Sequence, residues 1–557
     1  MKILLTHSDF IEYEAKKKAL PQAEDVDEGK VRIDDCLVVF TSAEEGDNEE
    51  VVSRTVKEIE DVAKQVEAEK IVIYPFVHLS QSPAKPAVAL KLIKKIASGL
   101  EDKYKVYRAP FGWYKAFTLR CKGHPLAELS REIKPGKEEV KRAKKEKQEK
   151  VVAQAAEPKE LAPNDHRILG RQMDLYSFHE YAPGMVFFHP KGMIIRNLLI
   201  DFWRREHYKA GYVEINTPQM MNQKIWETSG HWNHYKENMF FTSLEDQDYV
   251  IKPMNCPGAI LVFKSATRSY RELPLRLAEL GIVHRNELSG VLSGLFRLRA
   301  FMQDDAHIFV APDQLEEEIL RVVDLVAHIY SKFGFDYHVE LSTRPENAMG
   351  EKRIWDIAEH ALEDALKRKG MNYKLNPGEG AFYGPKIDFH LKDSLGRIWQ
   401  CATVQVDFVM PERVDCSYVG EDNKPHTPVI IHRVIYGSIE RFIGILVEHY
   451  NGAFPVWLAP VQVRAISFTD RNEEATKAVA AEMSEAGLRV DTDLRPATVD
   501  YKIRESQLQK VPYTIVIGDK EEQNNTLAVR TRDGKVKFGV KIEDFLALIK
   551  QEIADMK

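Results

Sequence analysis

Hydrophobic and polar side chains alternate along residues 296–309, FRLRAFMQDDAHIF. Because successive side chains of a strand point to opposite faces, this pattern predicts a β-strand with two unlike faces. One face is mostly apolar, and the other carries Arg297, Arg299, Phe301, Gln303, Asp305 and His307. Taken alone, a half-polar strand usually turns its polar face to water, so the pattern by itself does not identify a site.

Residues 1–131 alternate apolar segments with helical patterns. The segments KILLTH, CLVVFTS and KIVIYPF predict strands, and a helix is predicted from the spacing of Val52, Val56, Ile59, Val62 and Val66. This order is typical of a small α/β domain. Residues 132–165 are rich in Lys and Glu and poor in large apolar residues, so we expect a charged, solvated linker.

Two further regions follow the linker. Residues 166–460 mix helix and strand signals and are rich in Trp, Tyr and Phe. Residues 461–557 alternate regularly through strand VRAISF, helix NEEATKAVAAEMSEAG, strand RVDTDL, helix VDYKIRESQLQ, strand YTIVIG, then LAVRTR and a terminal helix. This alternation predicts an independent α/β unit with a parallel sheet.

Length and composition exclude several classes of protein. A chain of 557 residues is too long for one core, and its 44 % hydrophobic and 29 % charged content excludes a disordered chain. The net charge of −6 does not exclude an RNA-binding surface. No apolar run approaches the roughly 20 residues that cross a bilayer. A reducing cytoplasm, without a disulfide framework, is indicated by five scattered cysteines, Cys36, Cys121, Cys256, Cys401 and Cys416.

Three segments of the central region carry arginines in a suggestive order. In IIRNLLIDFWRREHYKAGYVEINTPQM, an amphipathic helix precedes a strand that we expect to end at Pro218. In IVHRNELSGVLSGLFRLRAFMQDDAHIF, a Gly/Ser loop joins two predicted strands, with Arg285 on the first and Arg297 on the second. In IIHRVIYGSIERFIGILVEHY, a strand leads into a helix that turns Arg441 away from its buried stripe.

These segments resemble motifs 1, 2 and 3 of class II aminoacyl-tRNA synthetases, and MNCPG, HRNELSG, QDDAHIF, AFYGPKIDFH, TVQVDF and IIHRVIYGSIER resemble the threonyl-tRNA synthetase family. The chain has no GxxxxGK[ST] or GxGxxG pattern that would favour another nucleotide-binding fold. The first region resembles the editing domain of archaeal-type members, itself similar to D-aminoacyl-tRNA deacylases, through HSD at residues 7–9, YPFVHLS, PFGWYKAF and CKGHPLAELSR.

The resemblance implies an α/β and α+β multidomain protein. Its parts are an α/β editing domain over residues 1–131, the linker, a class II catalytic domain with an antiparallel sheet and helices over 166–460, and an α/β anticodon-binding domain over 461–557. The implied enzyme is a threonine–tRNA ligase that activates L-threonine with ATP, transfers it to tRNA(Thr), and hydrolyses mischarged seryl-tRNA. A homodimer without membrane association is implied as well, motif 1 being the usual dimer contact.

The family's nucleotide site carries over residue by residue. The resemblance assigns Arg285 to the α-phosphate of ATP, Glu287 to the adenine edge, Arg297 to the outer phosphates and Arg441 to the adenine and γ-phosphate. Gln400 also belongs to the ATP site, and Mg²⁺ accompanies the phosphates. Arg285, Arg441 and Lys386 are the implied catalytic residues. Arginine suits such positions because its planar fork binds phosphate oxygens in pairs and keeps its charge.

Cys256, His307 and His432 follow no local metal-binding spacing, so the residues alone favour a buried cysteine and core histidines. The resemblance instead makes them the ligands of one Zn²⁺ per chain, which binds the amino and hydroxyl groups of threonine. It assigns Asp305 to the hydroxyl proton and makes substrate-binding residues of Gln303, Tyr383, Gln405 and Ser438. Valine lacks the hydroxyl, so we expect strong rejection at this site.

Serine differs from threonine by one methyl group, worth only about 1–3 kcal/mol of discrimination. A second, hydrolytic site is therefore expected, and the resemblance places it at His78, Tyr114, Lys115 and Glu128, with Lys18 and His7 nearby. Lys115 would stabilise a developing oxyanion or position water, assisted by the terminal ribose of the tRNA. Glu521 and Arg530 match positions that the family uses on anticodon bases, although a charged pair on a surface strand is otherwise ordinary.

Two residues depart from the family pattern, and two other functions stay open at this point. Ala259 stands where His is familiar, and Ala402 stands where Gly is familiar, so the fit around the substrate is in doubt. Another class IIa synthetase, such as a prolyl enzyme, is disfavoured by the Cys-His-His set. A synthetase-like regulatory protein without catalysis is disfavoured by the presence of Arg285 and Arg441.

Overall fold

The computed structural model describes residues 1–20, 23–26, 29–80, 82–124, 126–133, 161–393 and 396–557. The chain divides into two compact units, Met1–Gln154 and Ala155–Lys557. Most of the predicted linker, residues 134–160, lies outside the described residues. Among the helices of the described ranges, none has the length and apolar character needed to cross a bilayer. All five cysteines are free thiols, as predicted.

Within its described residues, the first unit is a sheet of six strands with two helices. The strands are β1 (Lys2–Lys18), β2 (Lys30–Ser42), β3 (Lys70–Pro75), β4 (Lys105–Arg108), β5 (Trp113–Cys121) and β6 (Glu128–Glu132), and the helices are α1 (Glu49–Gln65) and α2 (Pro86–Leu100). Their order is β4-β3-β2-β1-β5, with β6 also paired to β1. The predicted strands and helix are confirmed, but β1 extends far beyond KILLTH because its outer half pairs with β5.

The second unit begins with the catalytic region. Its strands, in chain order, are β7 (Tyr176–Phe178), β8 (Val186–Phe188), β9 (Val213–Glu214), β10 (Met220–Asn222), β11 (Phe240–Leu244), β12 (Gln247–Ile251), β13 (Arg268–Ser269), β14 (Leu275–His284), β15 (Ala300–Val310), β16 (Tyr337–Ser342), β17 (Tyr373–Asn376), β18 (Lys386–Lys392), β19 (Ile398–Asp407), β20 (Tyr418–Val419), β21 (Pro425–His426) and β22 (Val429–Val434). Its helices are α3 (His166–Gln172), α4 (Pro190–Lys209), α5 (Gln223–Thr228), α6 (His231–Tyr235), α7 (Cys256–Lys264), α8 (Leu315–Phe333), α9 (Lys352–Arg368), α10 (Val409–Arg413) and α11 (Ile439–His449).

An eight-stranded sheet is the centre of this region, in the order β17-β16-β18-β19-β22-β15-β14-β9. Most neighbours are antiparallel, as expected for the class II fold, and the pairs β14–β9 and β16–β17 are parallel. One face of the sheet packs against α8 and α11, with Val326, Phe442, Ile308 and Ile431 in the shared core. The opposite face is available for polar side chains.

The structure corrects three expectations about the motifs. The motif 1 strand is only Val213–Glu214, because β9 pairs with just two residues of β14, and it ends well before Pro218. Arg285 lies one residue after β14, and Arg297 lies three residues before β15. Both arginines belong to the connection between the strands, where Ser293 and Arg297 form a short bridge that turns the chain back.

The last region forms a five-stranded sheet in the order β24-β23-β25-β26-β27. Its strands are β23 (Val463–Ser467), β24 (Val490–Asp493), β25 (Tyr513–Ile517), β26 (Thr526–Thr531) and β27 (Val536–Lys541), and its helices are α12 (Glu473–Glu485), α13 (Val499–Leu508), α14 (Asp519–Asn524) and α15 (Ile542–Ala554). The predicted parallel sheet is correct for β23–β25 and wrong for β26 and β27, which are antiparallel. Connections as short as 518–525 and 532–535 do not allow the crossover that parallel neighbours require.

Candidate functional site

Two adjoining cavities open on the polar face of the eight-stranded sheet. The arginine cavity is lined by residues that include Arg285, Glu287, Phe296, Arg297, Phe301, Ser438 and Arg441. The cysteine–histidine cavity is lined by residues that include Cys256, Asp305, His307, Tyr383, Lys386, Gln405 and His432. The two cavities share five lining residues: Arg285, Gln303, Gln400, Thr403 and Val434. Every residue assigned to ATP, threonine or the metal therefore lines one or both cavities.

Strand register brings distant residues into one row across the sheet. Gln303, Asp305 and His307 alternate along β15 and so share a face. His307 lies opposite His432 on β22, and His432 lies opposite Gln405 on β19. Gln405 in turn lies opposite Lys386 on β18. With neighbouring strands about 4.8 Å apart, this row extends roughly 14 Å from His307 to Lys386.

The three arginines are held in different ways. The Arg285 Nε donates to the Pro253 carbonyl at 3.2 Å, and its guanidinium lies 5.1 Å from the centre of the Phe301 ring. Arg441 donates to the carbonyls of Phe296 at 3.1 Å and Gln400 at 2.9 Å. Arg297 is half exposed and forms an ion pair with Glu287 at 2.8 Å. Arg285 and Arg441 are thus positioned by backbone carbonyls, which do not neutralise their charge.

A fourth arginine of the predicted strand face, Arg299, does not line either cavity. Its guanidinium donates to the Glu287 carbonyl at 2.9 Å, to the Pro183 carbonyl at 3.2 Å and to the Ser289 hydroxyl at 3.1 Å. It therefore organises the connection that carries Glu287.

Asp304, on the face that the sequence predicts to be apolar, connects motif 2 with motif 3. Its buried carboxylate accepts hydrogen bonds from the backbone N–H groups of Ile435, Tyr436 and Gly437 at 3.0–3.1 Å. Ser438 follows directly and caps α11, its hydroxyl accepting from the Arg441 N–H at 3.1 Å. Asp304 thereby fixes the turn from which Arg441 reaches the arginine cavity.

The cysteine–histidine cavity contains a group of buried metal-ligating atoms. The Cys256 Sγ and one ring nitrogen each of His307 and His432 lie within 4.8 Å of one another. Burial lowers the pKa of His307 well below its ordinary value, which leaves a neutral imidazole. Burial also raises the pKa of the Cys256 thiol, so a thiolate there requires a compensating cation.

Asp407, which the sequence does not single out, orients one of these histidines. Its Oδ2 lies 2.9 Å from the Nε2 of His432, whereas the buried Nδ1 of His432 has no hydrogen-bond partner among the described residues. The other oxygen of Asp407 accepts from the backbone N–H groups of Val409 and Met410 at the start of α10. Nδ1 of His432 is consequently the nitrogen available to a metal.

Two further polar residues of the site, Asn255 and Asp388, are not predicted from the sequence. Asn255 donates through its amide nitrogen to Asp305 at 2.6 Å, and burial raises the Asp305 pKa to about 6 despite that bond. Asp388 is a buried acceptor for Lys386 at 2.6 Å, Gln400 at 2.5 Å and Thr403 at 2.8 Å. The only sequence signals are that Asn255 directly precedes Cys256 and that Asp388 lies two residues after Lys386, on the same face of a strand.

The two departures from the family pattern do not reach the cavities. Ala402 belongs to the apolar core beneath the sheet and lies opposite Phe389. Ala259 is buried in α7.

A separate cavity lies in the first unit. It is lined by His78, Tyr114 and Lys115 together with the aromatic rings of Tyr74, Phe76, Phe111, Trp113 and Phe117. Lys115 donates to the Pro110 carbonyl at 2.9 Å, and its ammonium lies 4.9 Å from the centre of the Tyr74 ring. Burial lowers the Lys115 pKa to about 8. Lys18 lies 5.5 Å from the centre of the Trp113 ring, beside this cavity's wall.

The other two predicted editing residues, His7 on β1 and Glu128 on β6, lie elsewhere in the same sheet. Lys115 is opposite Ala15 of β1, whereas Glu128 is opposite Thr6, the neighbour of His7. Eight residues of strand separate His7 from Ala15, a distance of roughly 27 Å. His7 instead contacts His124, with 2.9 Å between Nδ1 and Nε2.

The two predicted anticodon residues occupy the last sheet. The Glu521 carboxylate accepts from the Gly518 N–H at 3.1 Å and caps α14. Arg530 lies on β26, opposite Thr514. Both side chains are partly exposed.

Comparisons with known proteins agree with this architecture. Three family models match: the archaea-specific editing domain of threonyl-tRNA synthetase over residues 1–133, the class II tRNA synthetase core domain (G, H, P, S and T) over 240–450, and an anticodon binding domain over 456–552. Threonine–tRNA ligases from Carboxydothermus hydrogenoformans and Caldanaerobacter subterraneus are 57 % and 58 % identical over 71 % of this chain. The chain spans less than two thirds of their length, 63 % and 61 %.

A solved structure is similar as well. The crystal structure of the RNA binding domain of threonyl-tRNA synthetase from Cryptosporidium parvum Iowa II has a TM-score of 0.67 and 42 % identity, covering 70 % of this chain and 98 % of that one. Together with the three matched domains, these relatives show that the chain belongs to the threonyl-tRNA synthetase family.

Proposed function

We propose that this protein is a threonine–tRNA ligase that activates L-threonine with ATP, transfers it to tRNA(Thr), and hydrolyses mischarged seryl-tRNA. The observation that carries the proposal is the meeting of two cavities at Arg285. One cavity presents guanidinium groups suited to phosphates, and the other presents a Cys-His-His group suited to a metal. An amino acid in one and a nucleotide in the other would meet at the shared wall.

In the arginine cavity, Arg285 would bind the α-phosphate at the point where the carboxylate of threonine attacks. Arg441 would bind the γ-phosphate, and the partly exposed ring of Phe301 offers aromatic surface to the adenine. Glu287 and Arg297, now paired with each other, would exchange this ion pair for the adenine edge and the outer phosphates. Mg²⁺ enters with ATP as part of the substrate. Catalysis then depends on positioning and on stabilisation of negative charge.

The residues of the cysteine–histidine cavity fit zinc. One thiolate and two neutral imidazoles are ligands that Zn²⁺ prefers, and His432 has a buried nitrogen with no other partner. A zinc with three protein ligands supplies an open coordination position for the amino and hydroxyl groups of a substrate.

Beside the metal ligands, Asp305 would accept the hydroxyl proton of threonine. With a pKa of about 6, Asp305 is mostly ionised at neutral pH. Its bond from Asn255 engages one oxygen and leaves the other for the substrate. Lys386 and Gln400, both held by Asp388, would bind the carboxylate end of the substrate and the phosphate. Valine would leave Asp305 without a donor, which costs more than the loss of a methyl contact.

For proofreading, the cavity of the first unit offers His78, Tyr114 and Lys115. The Lys115 ammonium, screened from water by aromatic rings, would stabilise an oxyanion or position water at the ester. Glu128 and His7 have no direct role in this cavity under the proposal. Both lie near one end of β1, whereas Lys115 pairs with Ala15 toward the other end.

Partners of the proposed enzyme follow from its domains. The anticodon-binding match supports tRNA as substrate, with Glu521 and Arg530 as proposed base contacts. A homodimer is proposed from the class II core, and sedimentation of the full chain would test it. A reducing compartment such as the cytoplasm is proposed from the five free thiols.

Threonine-dependent exchange of pyrophosphate into ATP tests the ligase proposal. Arg285→Ala should abolish the exchange and leave hydrolysis of preformed seryl-tRNA intact, because Arg285 lines the two cavities of the second unit, whereas His78, Tyr114 and Lys115 line a cavity of the first. Arg321→Ala is a matched control, since Arg321 is exposed on α8 and pairs with Glu317. Exchange that does not depend on threonine, or equal loss of both activities in Arg285→Ala, would refute the proposal.

A further inference from the structure

A second group of metal-ligating side chains lies on the eight-stranded sheet. His338 and Glu340 are two residues apart on β16, and His390 lies directly opposite His338 on β18. His390 also shares its strand face with Lys386, which lines the cysteine–histidine cavity. One ring nitrogen of each histidine and one oxygen of Glu340 lie within 4.8 Å of one another. None of the three residues has a role in the proposed ligase reaction.

We propose that His338, Glu340 and His390 bind a divalent transition-metal ion such as Zn²⁺. The two Nε2 atoms approach different oxygens of the Glu340 carboxylate: His390 lies 3.6 Å from Oε2, and His338 lies 3.8 Å from Oε1. Ligand atoms of a tetrahedral zinc with bonds of about 2.05 Å are roughly 3.4 Å apart. Each nitrogen therefore lies within about half an ångström of this separation from one carboxylate oxygen. His338 is almost half exposed, so its ring, which stacks on that of His390 with 4.8 Å between the ring centres, has room to turn toward the ion.

The surroundings of His390 also suit a metal. Its Nε2 is buried and has no hydrogen-bond partner within the described part of the chain. A neutral imidazole whose nitrogen is shielded from water has a lone pair ready for an ion. Two imidazoles and one carboxylate are a ligand set that first-row divalent metals accept in preference to Mg²⁺ or Ca²⁺.

Two neighbours determine how Glu340 responds. The Lys374 ammonium lies 3.4 Å from one oxygen, but its side chain is 72 % exposed and can move into water. A divalent ion would replace that ammonium and keep the carboxylate compensated. Asn376 donates to the other oxygen at 3.2 Å and would remain as the residue that orients the carboxylate.

The location gives the ion a structural consequence. A bound ion would link β16 to β18 on the face that carries the proposed active site. Glu340 lies opposite Asp388, the acceptor that holds Lys386 and Gln400. Three protein ligands would leave at least one position for water or an anion. The inference rests on coordination chemistry alone and does not depend on the proposed ligase activity.

Equilibrium dialysis of the metal-free full chain against Zn²⁺ tests the site. We expect two equivalents per chain at saturation. Removing a direct ligand should weaken binding at least as much as losing an orienting partner, which costs roughly 10–100-fold. His390→Ala and, separately, His338→Ala should therefore lose one equivalent, and Cys256→Ala should lose the other. His360→Ala, an exposed histidine of α9 outside the group, is the matched control and should keep both.

Cobalt substitution identifies which equivalent is lost. Co²⁺ bound through Cys256 gives a sulfur-to-metal charge-transfer band, whereas Co²⁺ held by two imidazoles and a carboxylate does not. The His390→Ala protein should keep the charge-transfer band and lose the second binding event. A single equivalent in the unaltered chain at saturating Zn²⁺ would overturn the proposal. Two equivalents that persist in both His390→Ala and His338→Ala would overturn it as well.

Discussion

Substituting Asp407 with Asn should weaken metal binding at Cys256, His307 and His432 without unfolding the protein. One oxygen of Asp407 accepts from two backbone N–H groups at the start of α10, and the amide oxygen of Asn can do the same. The other position, 2.9 Å from His432 Nε2, then holds an NH₂ group. An NH₂ group needs an acceptor there, so the His432 proton moves to Nδ1. That nitrogen, the one available to the metal, is then blocked.

The expected loss follows from the role of such partners. Changing a residue that orients a metal-bound imidazole lowers affinity roughly 10–100-fold, which corresponds to about 1.4–2.7 kcal/mol. The stability of the metal-free protein should change little, because the cap of α10 and the side-chain volume are retained. Rotating the new side-chain amide by half a turn does not restore binding, because its NH₂ group would then face the backbone N–H donors of Val409 and Met410.

Competition for Co²⁺ with a chelator of known affinity measures this loss. The thiolate charge-transfer band reports only the Cys256 site, so other bound ions do not contribute. Asp174→Asn is the matched control, since Asp174 bonds a histidine, His189, at 2.6 Å on the surface. Binding of Co²⁺ by Asp407→Asn within threefold of the unaltered chain would contradict this role of Asp407. A large drop in the urea midpoint of the metal-free variant would instead assign the effect to the fold.

Other predictions concern both units. Burial lowers the Lys115 pKa from 10.5 in the unfolded chain to about 8 in the folded protein. Between pH 8 and 10.5 the unfolded chain therefore holds this proton more tightly, so the free energy of unfolding should rise with pH. Urea midpoints measured below and above this range should show the rise in the unaltered chain and not in Lys115→Met. Tyr114→Ala should let seryl-tRNA accumulate with threonine attachment unchanged, and continued serine release would contradict the editing role. Gly281→Ala should cost about 1–3 kcal/mol, because a Cβ there would lie 2.3 Å from the Asn255 Oδ1; an unchanged urea midpoint would show that Asn255 can move.

Much of the candidate site could be read from short-range patterns. The period-two alternation after residue 299 correctly put Gln303, Asp305 and His307 on one face, because the face of a side chain depends only on its parity along the strand. The helical stripe of α11 likewise left Arg441 on another side. The strand pattern gave wrong positions for residues before Ala300, where β15 begins. Arg297 and Arg299 have the right parity but lie in the connection, where hydrogen bonds to loop atoms decide their direction.

Other errors came from residues whose partners are distant in the chain. Asn255, Asp388 and Asp407 look like ordinary polar residues in the sequence. Their importance comes from atoms that the fold brings beside them. In the first unit, resemblance grouped His7 and Glu128 with Lys115, whereas the length of β1 keeps them apart.

The sequence by itself determined the local elements, the domain order and the kinds of chemical group that the protein carries. These depend on periodicity, composition and motifs spanning a few residues. Only the tertiary structure decided that Cys256, His307 and His432 meet, because their meeting depends on the pairing of β15 with β22 and on where α7 begins. It also decided which nitrogen of His432 is free, because the other nitrogen is hydrogen-bonded to Asp407 at the end of β19. Spacing along the chain contains neither fact, because register and burial arise from packing between segments far apart in sequence.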